Sequence, residues 1–377
     1  MDFDFTDDQE SLRDAVRRWV DKGFSFERRH GIAKAGGRTR EVYAELADLG
    51  LTGLAVPEAH GGMGFGAIEA MVVAEELGRG LVNAPYAHGA LVAPALLAAA
   101  PAEVQGEWLP KIADASVLVV LAHQERAARY RLNHVTTKAT QAGSGWTLSG
   151  AKSVVPDGDE ADAFIVPART AGADGDATGI ALFLVAKGSA GLRVRGYPTQ
   201  DGARAAELTL ADTPATLIAL DALAVLETGI DVGIAAVCAE AVGVMDRLVS
   251  ITAEYMNTRK QFGVAISTFQ ALRHRMADVK MQLELGRSMS YYASLKLGEV
   301  PAARRRALAQ AKYQLGNSMR FVGQQCIQLH GGIGVTDEYI ASHYFKRLTM
   351  LEMAFGDTLH QLGEVSSRMQ DTAGVFA

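Results

Sequence analysis

Two glycine-containing stretches in the C-terminal half, Arg-Lys-Gln-Phe-Gly at residues 259–263 and Gln-Leu-His-Gly-Gly-Ile-Gly at residues 328–334, decide how this chain is interpreted. Each follows a long segment of helical periodicity, so each marks the end of a predicted helix. A guanidinium there can donate forked hydrogen bonds to two phosphate oxygens, and glycines let the backbone approach a ligand. The stretches therefore predict a phosphate-binding site, with a solvated charge and an ordinary glycine helix cap as the simpler alternatives.

On either side of these stretches, helical periodicity dominates the N-terminal and C-terminal parts of the chain, and short strand-like runs fill its middle. Thr6 and Gln9 are spaced as a capping box at the first helix. The pattern predicts an α+β multidomain protein: an N-terminal helical domain at residues 1–115, a small β-barrel at residues 116–216, and a C-terminal four-helix bundle at residues 217–377.

The bulk composition is that of an ordinary globular enzyme, with 49% apolar and 21% charged residues. A net charge of -6 gives no reason to expect nucleic acid as a partner. The longest apolar stretch, residues 91–102, is too short to span a membrane. Cys238 and Cys326 make no metal-binding spacing, and residues 1–5 lack the apolar core of a signal peptide. We therefore predict a cytoplasmic protein without a metal site.

In their order along the chain, the two stretches resemble the flavin-binding signatures of the acyl-CoA dehydrogenase family. The loop at residues 56–64, in which Pro-Glu precedes Gly-Gly-x-Gly, is similar to a third family feature. The resemblance covers nearly the whole chain. It implies FAD-dependent α,β-dehydrogenation of an acyl-CoA thioester, electron-transfer flavoprotein as a partner, and FAD contacts that cross a subunit interface. The implied FAD-binding residues are Arg259, Phe262, Gln270, Gln328, Gly331, Gly332 and Asp357.

The resemblance also exposes a missing catalytic group. The usual family base is a Glu that precedes a Gly at a fixed distance past the second signature, and Phe355 stands there, before Gly356. A second branch of the family carries its Glu on an earlier helix, where this chain has Gly233. The catalytic residue is therefore unknown. Four nearby acidic residues are candidates for a base at a different position: Asp231, Glu240, Glu352 and Asp357. For each of them a structural role is the simpler explanation.

The middle segment departs from the family pattern where the flavin ring is expected. The usual Thr-Glu-Pro-Gly run is matched clearly only by Glu125, and the usual Trp-Ile-Thr-Asn-Gly reads Val-Val-Pro-Asp-Gly at residues 154–158. Backbone groups around Gln124 and Val155 remain able to bind the ring, because such contacts need no particular side chain.

Three functions stay open at this point. The chain resembles the small subunits of bacterial heteromeric acyl-CoA dehydrogenases of the pimeloyl-CoA and sterol types, in which a base-carrying partner removes the proton. The alternatives are a homomeric enzyme with a displaced carboxylate, and a non-catalytic flavoprotein-like scaffold or acyl-CoA-binding partner subunit. An apolar stripe further predicts a homo-oligomer or hetero-oligomer; it consists of Leu308, Ala311, Leu315, Met319 and Val322.

Overall fold

The structure is a computed structural model that describes residues 4–143 and 145–369. The first three and last eight residues of the predicted terminal domains, and Ser144 of the middle domain, lie outside the described residues. The chain forms two compact units. The first unit comprises Met1–His30, Ala67–Val82 and Ile234–Ala377, and the second unit comprises Gly31–Gly66 and Asn83–Gly233.

The N-terminal part of the chain is helical, as predicted. Its helices are α1 (Asp7–Gly23), α2 (Phe26–Lys34), α3 (Arg40–Asp48), α4 (Ala67–Arg79), α5 (Ala93–Leu97, preceded by a π-helical turn at Tyr86–Val92) and α6 (Ala102–Ala113). The predicted capping box is confirmed at α1, where the Gln9 amide donates to Thr6 Oγ1 at 3.3 Å and the Thr6 amide donates to Gln9 Oε1 at 3.0 Å. These bonds satisfy two amides that the helix itself leaves without acceptors.

The glycine-rich loop at residues 56–64 owes its glycines to the backbone. Gly61 and Gly64 have φ angles of 80° and 64°, which favour glycine. A Cβ atom on Gly62 would lie 2.0 Å from the Val56 carbonyl oxygen. These three glycines therefore occupy backbone positions that are closed to other residues.

The middle of the chain forms a closed antiparallel-dominated barrel within the second unit. Its strands are β1 (Val119–Leu121), β2 (Lys138–Ala142), β3 (Gly145–Pro156), β4 (Ala163–Arg169), β5 (Ile180–Ala186), β6 (Leu192–Pro198) and β7 (Arg204–Ala219). The strand order is β1-β4-β2-β3-β7-β5, and pairing of β4 with β5 closes the ring while β6 pairs with β7. The interior is filled by apolar side chains, among them Phe164, Phe183 and Leu148. The predicted β-barrel is confirmed.

The C-terminal part consists of long helices and one small hairpin. Its elements are α7 (Leu223–Thr258), β8 (Lys260–Gln261), β9 (Val264–Ala265), α8 (Gln270–Lys296), α9 (Pro301–His330), α10 (Ile340–Met353) and α11 (Thr358–Ser367). α7 runs over 36 residues without interruption. No helix in the described part of the chain combines the length and the apolar character needed to cross a membrane.

The apolar stripe of α9 does not support an oligomer in the way that the sequence suggested. Leu308, Leu315 and Val322 are fully buried within the single chain, as are the other positions of the stripe. The neighbouring helices of one chain already cover this face, so it offers nothing to a second subunit. Periodicity identifies a face that must be buried, but it does not say by what.

Two glycines allow α4 and α7 of the first unit to cross at backbone distance. A Cβ on Gly243 of α7 would lie 1.8 Å from the Glu75 carbonyl oxygen, and one on Gly78 of α4 would lie 2.2 Å from the Glu240 carbonyl oxygen. Each helix therefore needs a glycine where it meets the backbone of the other.

Candidate functional site

The segment around Arg259 is a helix end followed by a tight hairpin. β8 and β9 pair antiparallel, and Phe262 and Gly263 form the two-residue turn between them with φ angles of 54° and 81°. Asn-Gly is the usual pair in such a turn, so a phenylalanine there is conformationally unfavourable. The Phe262 side chain is also 93% exposed, which makes it a prominent aromatic group at the surface.

Arg259 itself has a fixed backbone and an uncommitted side chain. Its amide donates to the Tyr255 carbonyl oxygen at 2.8 Å, and its carbonyl oxygen accepts from the Ile266 amide at 2.9 Å. The guanidinium is exposed and makes no hydrogen bond or ion pair with any residue that the structure describes. Gln270, the first residue of α8, is exposed as well. Both side chains therefore have donors to offer to a ligand.

The second glycine stretch begins where α9 ends. Gln328 is exposed in the last turn, and Gly331 has φ 63° and ψ -141°, a backbone conformation nearly restricted to glycine. A Cβ atom on Gly331 or Gly332 would meet no atom within 4 Å, whereas one on Gly334 would lie 2.8 Å from the His330 Cβ. Gly331 and Gly332 thus leave open space beside the backbone, as close approach of a ligand requires.

The structure brings these two helix ends together in the first unit. The ring of Tyr255, near the end of α7, lies 4.7 Å from that of His330 at the end of α9. Met256, Ile266 and Leu329 form a small buried cluster beneath them. A free guanidinium, two exposed amide side chains and open glycine backbone therefore lie at the neighbouring termini of α7, α8 and α9. This set of donors fits the pyrophosphate and adenosine half of a dinucleotide such as FAD.

His330 was given no functional role by the sequence, and its contacts are structural. Its Nδ1 donates to the Cys326 carbonyl oxygen at 2.8 Å, and its ring also packs against Tyr339 at 5.2 Å. Burial lowers the pKa of His330 below its usual value. The neutral ring therefore links the ends of α7 and α9.

Position 355 has a strained backbone held by its surroundings. Phe355 is buried, with a φ of 56° that bulky residues rarely adopt, and Gly356 follows with a φ of 111°. The Phe355 carbonyl oxygen accepts a hydrogen bond from Gln361 Nε2 at 3.0 Å. Asp357 caps α11 by accepting from the His360 amide at 2.8 Å, so its carboxylate already has a structural contact.

The remaining displaced-base candidates are engaged or deeply buried. Glu240 accepts from Arg347 Nε at 2.5 Å. Glu352 Oε1 accepts from the amide and the hydroxyl of Thr358 and lies 3.5 Å from an Arg320 nitrogen. Asp231, in the second unit, is fully buried. The contacts of Glu240, Glu352 and Asp357 explain these carboxylates without a catalytic role.

Glu125, the matched residue of the middle segment, is the acceptor of a buried network. It receives hydrogen bonds from both the amide and the hydroxyl of Thr136 and of Thr137, and from Lys152 Nζ at 2.6 Å. Burial opposes ionisation, but the Lys152 charge and these donors outweigh it and lower the pKa of Glu125 to about 2. Beside the pair, the Ser153 amide donates to the Gln124 carbonyl oxygen at 2.9 Å. The network therefore fixes the backbone proposed to face the flavin ring.

Sequence reasoning missed a second buried lysine, Lys312 of α9. It is 1% exposed and donates to three backbone carbonyl groups, those of Leu351, Glu352 and Gly356. The sequence did contain an indication of this residue, because Lys312 directly follows Ala311 of the apolar stripe. A charged side chain is buried at such a position only when other groups pair with it.

A group of side chains with metal-binding atoms also occurs in the first unit, although the sequence predicted no metal site. His30, Asp337 and His343 offer ligand atoms that all lie within 4.8 Å of one another. Both ring nitrogens of His343 are in contact with protein, Nε2 with the Asp337 carbonyl oxygen and Nδ1 with Arg29, each at 2.8 Å. Lys346 Nζ lies 3.2 Å from Asp337 Oδ1. Two cations and an engaged imidazole make this group a poor metal site.

Comparison with known proteins gives a consistent result along the whole chain. The sequence matches the acyl-CoA dehydrogenase N-terminal domain at residues 6–116, the middle domain at residues 114–213 and the C-terminal domain at residues 223–370. The acyl-CoA dehydrogenase FadE27 of Mycobacterium tuberculosis is 28% identical over 385 residues, which cover 99% of this chain and 100% of the relative.

Solved structures agree with these matches. A chain of the Tcur3481-Tcur3483 steroid ACAD G363A variant has a TM-score of 0.88 and 29% identity, covering 97% of this chain and 99% of that chain. A chain of the ChsE4-ChsE5 complex from Mycobacterium tuberculosis has a TM-score of 0.86 and 28% identity, covering 99% of this chain and 100% of that chain. The family implies FAD as cofactor and acyl-CoA dehydrogenation as the reaction. The chain belongs to the acyl-CoA dehydrogenase family of oxidoreductases.

Proposed function

We propose that this chain is an FAD-binding subunit of an acyl-CoA dehydrogenase that does not carry the proton-abstracting base. The observation that carries the proposal is Phe355, which stands at the family's base position in a left-handed backbone conformation. A buried benzyl side chain excludes water but accepts no proton. The structural contacts of Glu240, Glu352 and Asp357 argue against a displaced base on this chain.

The residues proposed to hold FAD are Arg259, Phe262, Gln270, Gln328, Gly331, Gly332 and Asp357. When bound, FAD accepts the β-hydrogen of the acyl thioester as hydride. Arg259 would pair with the pyrophosphate, and the two glutamines would donate to the adenosine half. Gly331 and Gly332 would admit the cofactor close to the backbone. Because Phe262 is so exposed, we propose that the β8–β9 hairpin contacts another subunit.

The partner is proposed to supply the carboxylate that removes the α-proton. Two of the structural relatives are described as two-protein assemblies, the Tcur3481-Tcur3483 steroid ACAD and the ChsE4-ChsE5 complex, which supports a hetero-oligomer for this chain. Electron-transfer flavoprotein is the proposed electron acceptor, and the cytoplasm is the proposed location.

The test compares the purified, flavin-loaded protein with Phe355→Glu and with Phe355→Gln as a matched control. General-base catalysis typically contributes ~10²–10⁴-fold, so Phe355→Glu should reduce its flavin with acyl-CoA at least ~100-fold faster than the other two proteins. The measurement is the loss of flavin absorbance after anaerobic mixing. Rapid reduction by the unmodified protein alone, abolished by neutralising Asp231, Glu240, Glu352 or Asp357, would instead identify a self-sufficient enzyme with a displaced base.

A further inference from the structure

Lys312 reaches from the middle of α9 to the end of α10. Its Nζ lies 2.8 Å from the carbonyl oxygens of Leu351 and Glu352 and 3.4 Å from that of Gly356. An ammonium group has three N–H donors and no acceptor, so these three carbonyl groups use all of them.

Two of the three carbonyl groups that accept from Lys312 lie at the C-terminal end of a helix, where hydrogen-bond donors are lacking. Leu351 and Glu352 lie in the last turn of α10, which ends at Met353, and carbonyl groups in a last turn have no partner within their own helix. The negative end of the helix dipole also favours a cation at this place. Burial lowers the pKa of Lys312 to about 8, while Cys238 of α7, Glu352 and Asp357 favour the charged form. The charge is therefore retained against a desolvation penalty, because the site offers it several partners.

The same contact controls the backbone next to position 355. Gly356, the third acceptor, directly follows the left-handed Phe355, and Gln361 of α11 holds the Phe355 carbonyl oxygen from the other side. A Cβ on Gly356 would lie 2.6 Å from Gln361 Nε2, so the Gln361 side chain packs directly against this turn. One helical turn along α9, a Cβ on Gly316 would lie 2.2 Å from Thr358 Oγ1. α9 thus contacts this segment both through Lys312 and through close packing at Gly316.

We propose that Lys312 is a positioning residue that fixes the conformation of residues 354–357 and thereby sets where the side chain at position 355 stands. A left-handed conformation of a bulky residue persists only where the surroundings determine it. Lys312 contributes by joining the Gly356 carbonyl oxygen, inside this segment, to the Leu351 and Glu352 carbonyl oxygens at the end of α10. Its importance for catalysis rests on the proposed function, but its effect on the backbone does not.

The first test is local amide hydrogen exchange in the flavin-loaded protein, comparing Lys312→Met with Lys296→Met. Methionine keeps most of the apolar stem and removes the donors, and Lys296 is a lysine at the end of α8 that pairs only with nearby Glu299 among the residues described. We expect amides of residues 354–358 to exchange at least tenfold faster in Lys312→Met, with α8 unchanged and Lys296→Met like the unmodified protein. Unchanged exchange at residues 354–358, or an equal increase along the whole chain, would overturn the inference.

Lys312→Gln covers the case in which Lys312→Met does not fold, because it keeps an N–H donor without the charge. It should give a smaller acceleration confined to the same residues, and unchanged exchange there would again overturn the inference.

The second test uses the Phe355→Glu protein. Adding Lys312→Met should lower its kcat at least tenfold with little change in the KM for acyl-CoA, because the carboxylate would lose its position while the substrate contacts stay. Lys312→Arg, which retains the charge and donors, should restore part of the loss. An unchanged kcat in the double variant would contradict the positioning role. If Phe355→Glu itself gains no turnover, the proposed function fails, and the exchange measurement still decides the role of Lys312.

Discussion

A cationic side chain without an internal partner is available to an anionic ligand, and Arg259 is such a side chain within the described part of the chain. Its backbone is held on both sides by hydrogen bonds to Tyr255 and Ile266. The loss of its guanidinium should therefore change ligand binding with little effect on the fold.

Arg259→Ala should weaken FAD retention by about 1.5–3 kcal/mol, the usual worth of a hydrogen bond to a charged group, and hence by roughly ten- to a hundredfold in Kd. Arg18→Ala is the matched control, since Arg18 is an exposed arginine on α1. The measurement is flavin absorbance after dialysis over a range of protein concentrations. Equal flavin loss from both variants would remove Arg259 from the cofactor site.

Single residues differ in how far the sequence could identify them. Arg259 and Gly331 were predictable because their neighbours along the chain define the helix ends on which they stand. Lys312 was not, because its acceptors lie about 40 residues away and only the packing of α9 against α10 brings them within reach. Asp357 was assigned to the cofactor by position, whereas its observed contact is the cap of α11; its cofactor role stays a prediction.

At the scale of secondary-structure elements, the Glu125–Lys152 pair joins the segment after β1 to β3 inside the second unit. Both side chains are buried, and the hydroxyls of Thr136 and Thr137 complete the carboxylate's hydrogen bonds. Removing one member of such a pair leaves an uncompensated charge, whereas removing both leaves no charge but deprives the Thr136 and Thr137 donors of their acceptor.

Glu125→Gln should therefore destabilise the protein by about 3–5 kcal/mol. Glu125→Leu combined with Lys152→Met should be less harmful, with a remaining cost from the Thr136 and Thr137 donors that lose their acceptor. In the folded protein the pKa of Glu125 is about 2, below its usual value of 4.5. The ionised Glu125 therefore contributes its full stabilisation of the fold above pH 4.5, and this contribution disappears as the pH falls towards 2. For Lys152 it is burial that lowers the pKa, from 10.5 to about 8, so the cost of burying its charge is relieved as the pH rises from 8 to 10.5. Urea unfolding across pH 3–10 checks both slopes, which should be absent in the double variant.

Elements whose signals are local were predicted well. The Thr6 capping box and the glycine-rich loop at residues 56–64 follow from short patterns. For α7 the periodicity predicted a helix but left open whether it is interrupted. The α9 stripe was misread as an intersubunit face, because the sequence shows that a face is apolar but not which element covers it. The domain limits at residues 115 and 216 stay predictions.

On the scale of the whole molecule, the family is oligomeric, and the surface of the first unit carries a few large apolar groups that one chain leaves uncovered. The most exposed is Phe262 at the hairpin turn, where its ring contacts only Phe269 among the described aromatic rings, at 6.1 Å. At a φ of 54° asparagine would suit the backbone of this turn better than phenylalanine, and the single ring contact with Phe269 leaves Phe262 almost fully exposed. The proposed contact with a second subunit would account for an aromatic side chain at this position.

Phe262→Asn should keep the hairpin, because asparagine tolerates the left-handed conformation, and should weaken subunit association at least about tenfold, as expected for a buried aromatic contact. Val300→Thr, which changes an exposed apolar residue before α9, is the control. Sedimentation over a dilution series measures the assembly, and flavin content is followed in parallel. A flavin-loaded, well-folded monomer of the unmodified chain would contradict the assembly itself.

The close crossing of α4 and α7 sets a limit on motion. Because neither Gly243 nor Gly78 leaves room for a single additional carbon, α7 cannot rotate or slide at this point without steric overlap. Arg259 follows Gly243 by sixteen residues, or about 24 Å at 1.5 Å per helical residue. The continuous helix therefore holds the backbone of Arg259 at a set distance from the crossing. Any movement that accompanies loading or release of the cofactor would have to arise in the hairpin or beyond it, with α7 as the stationary reference.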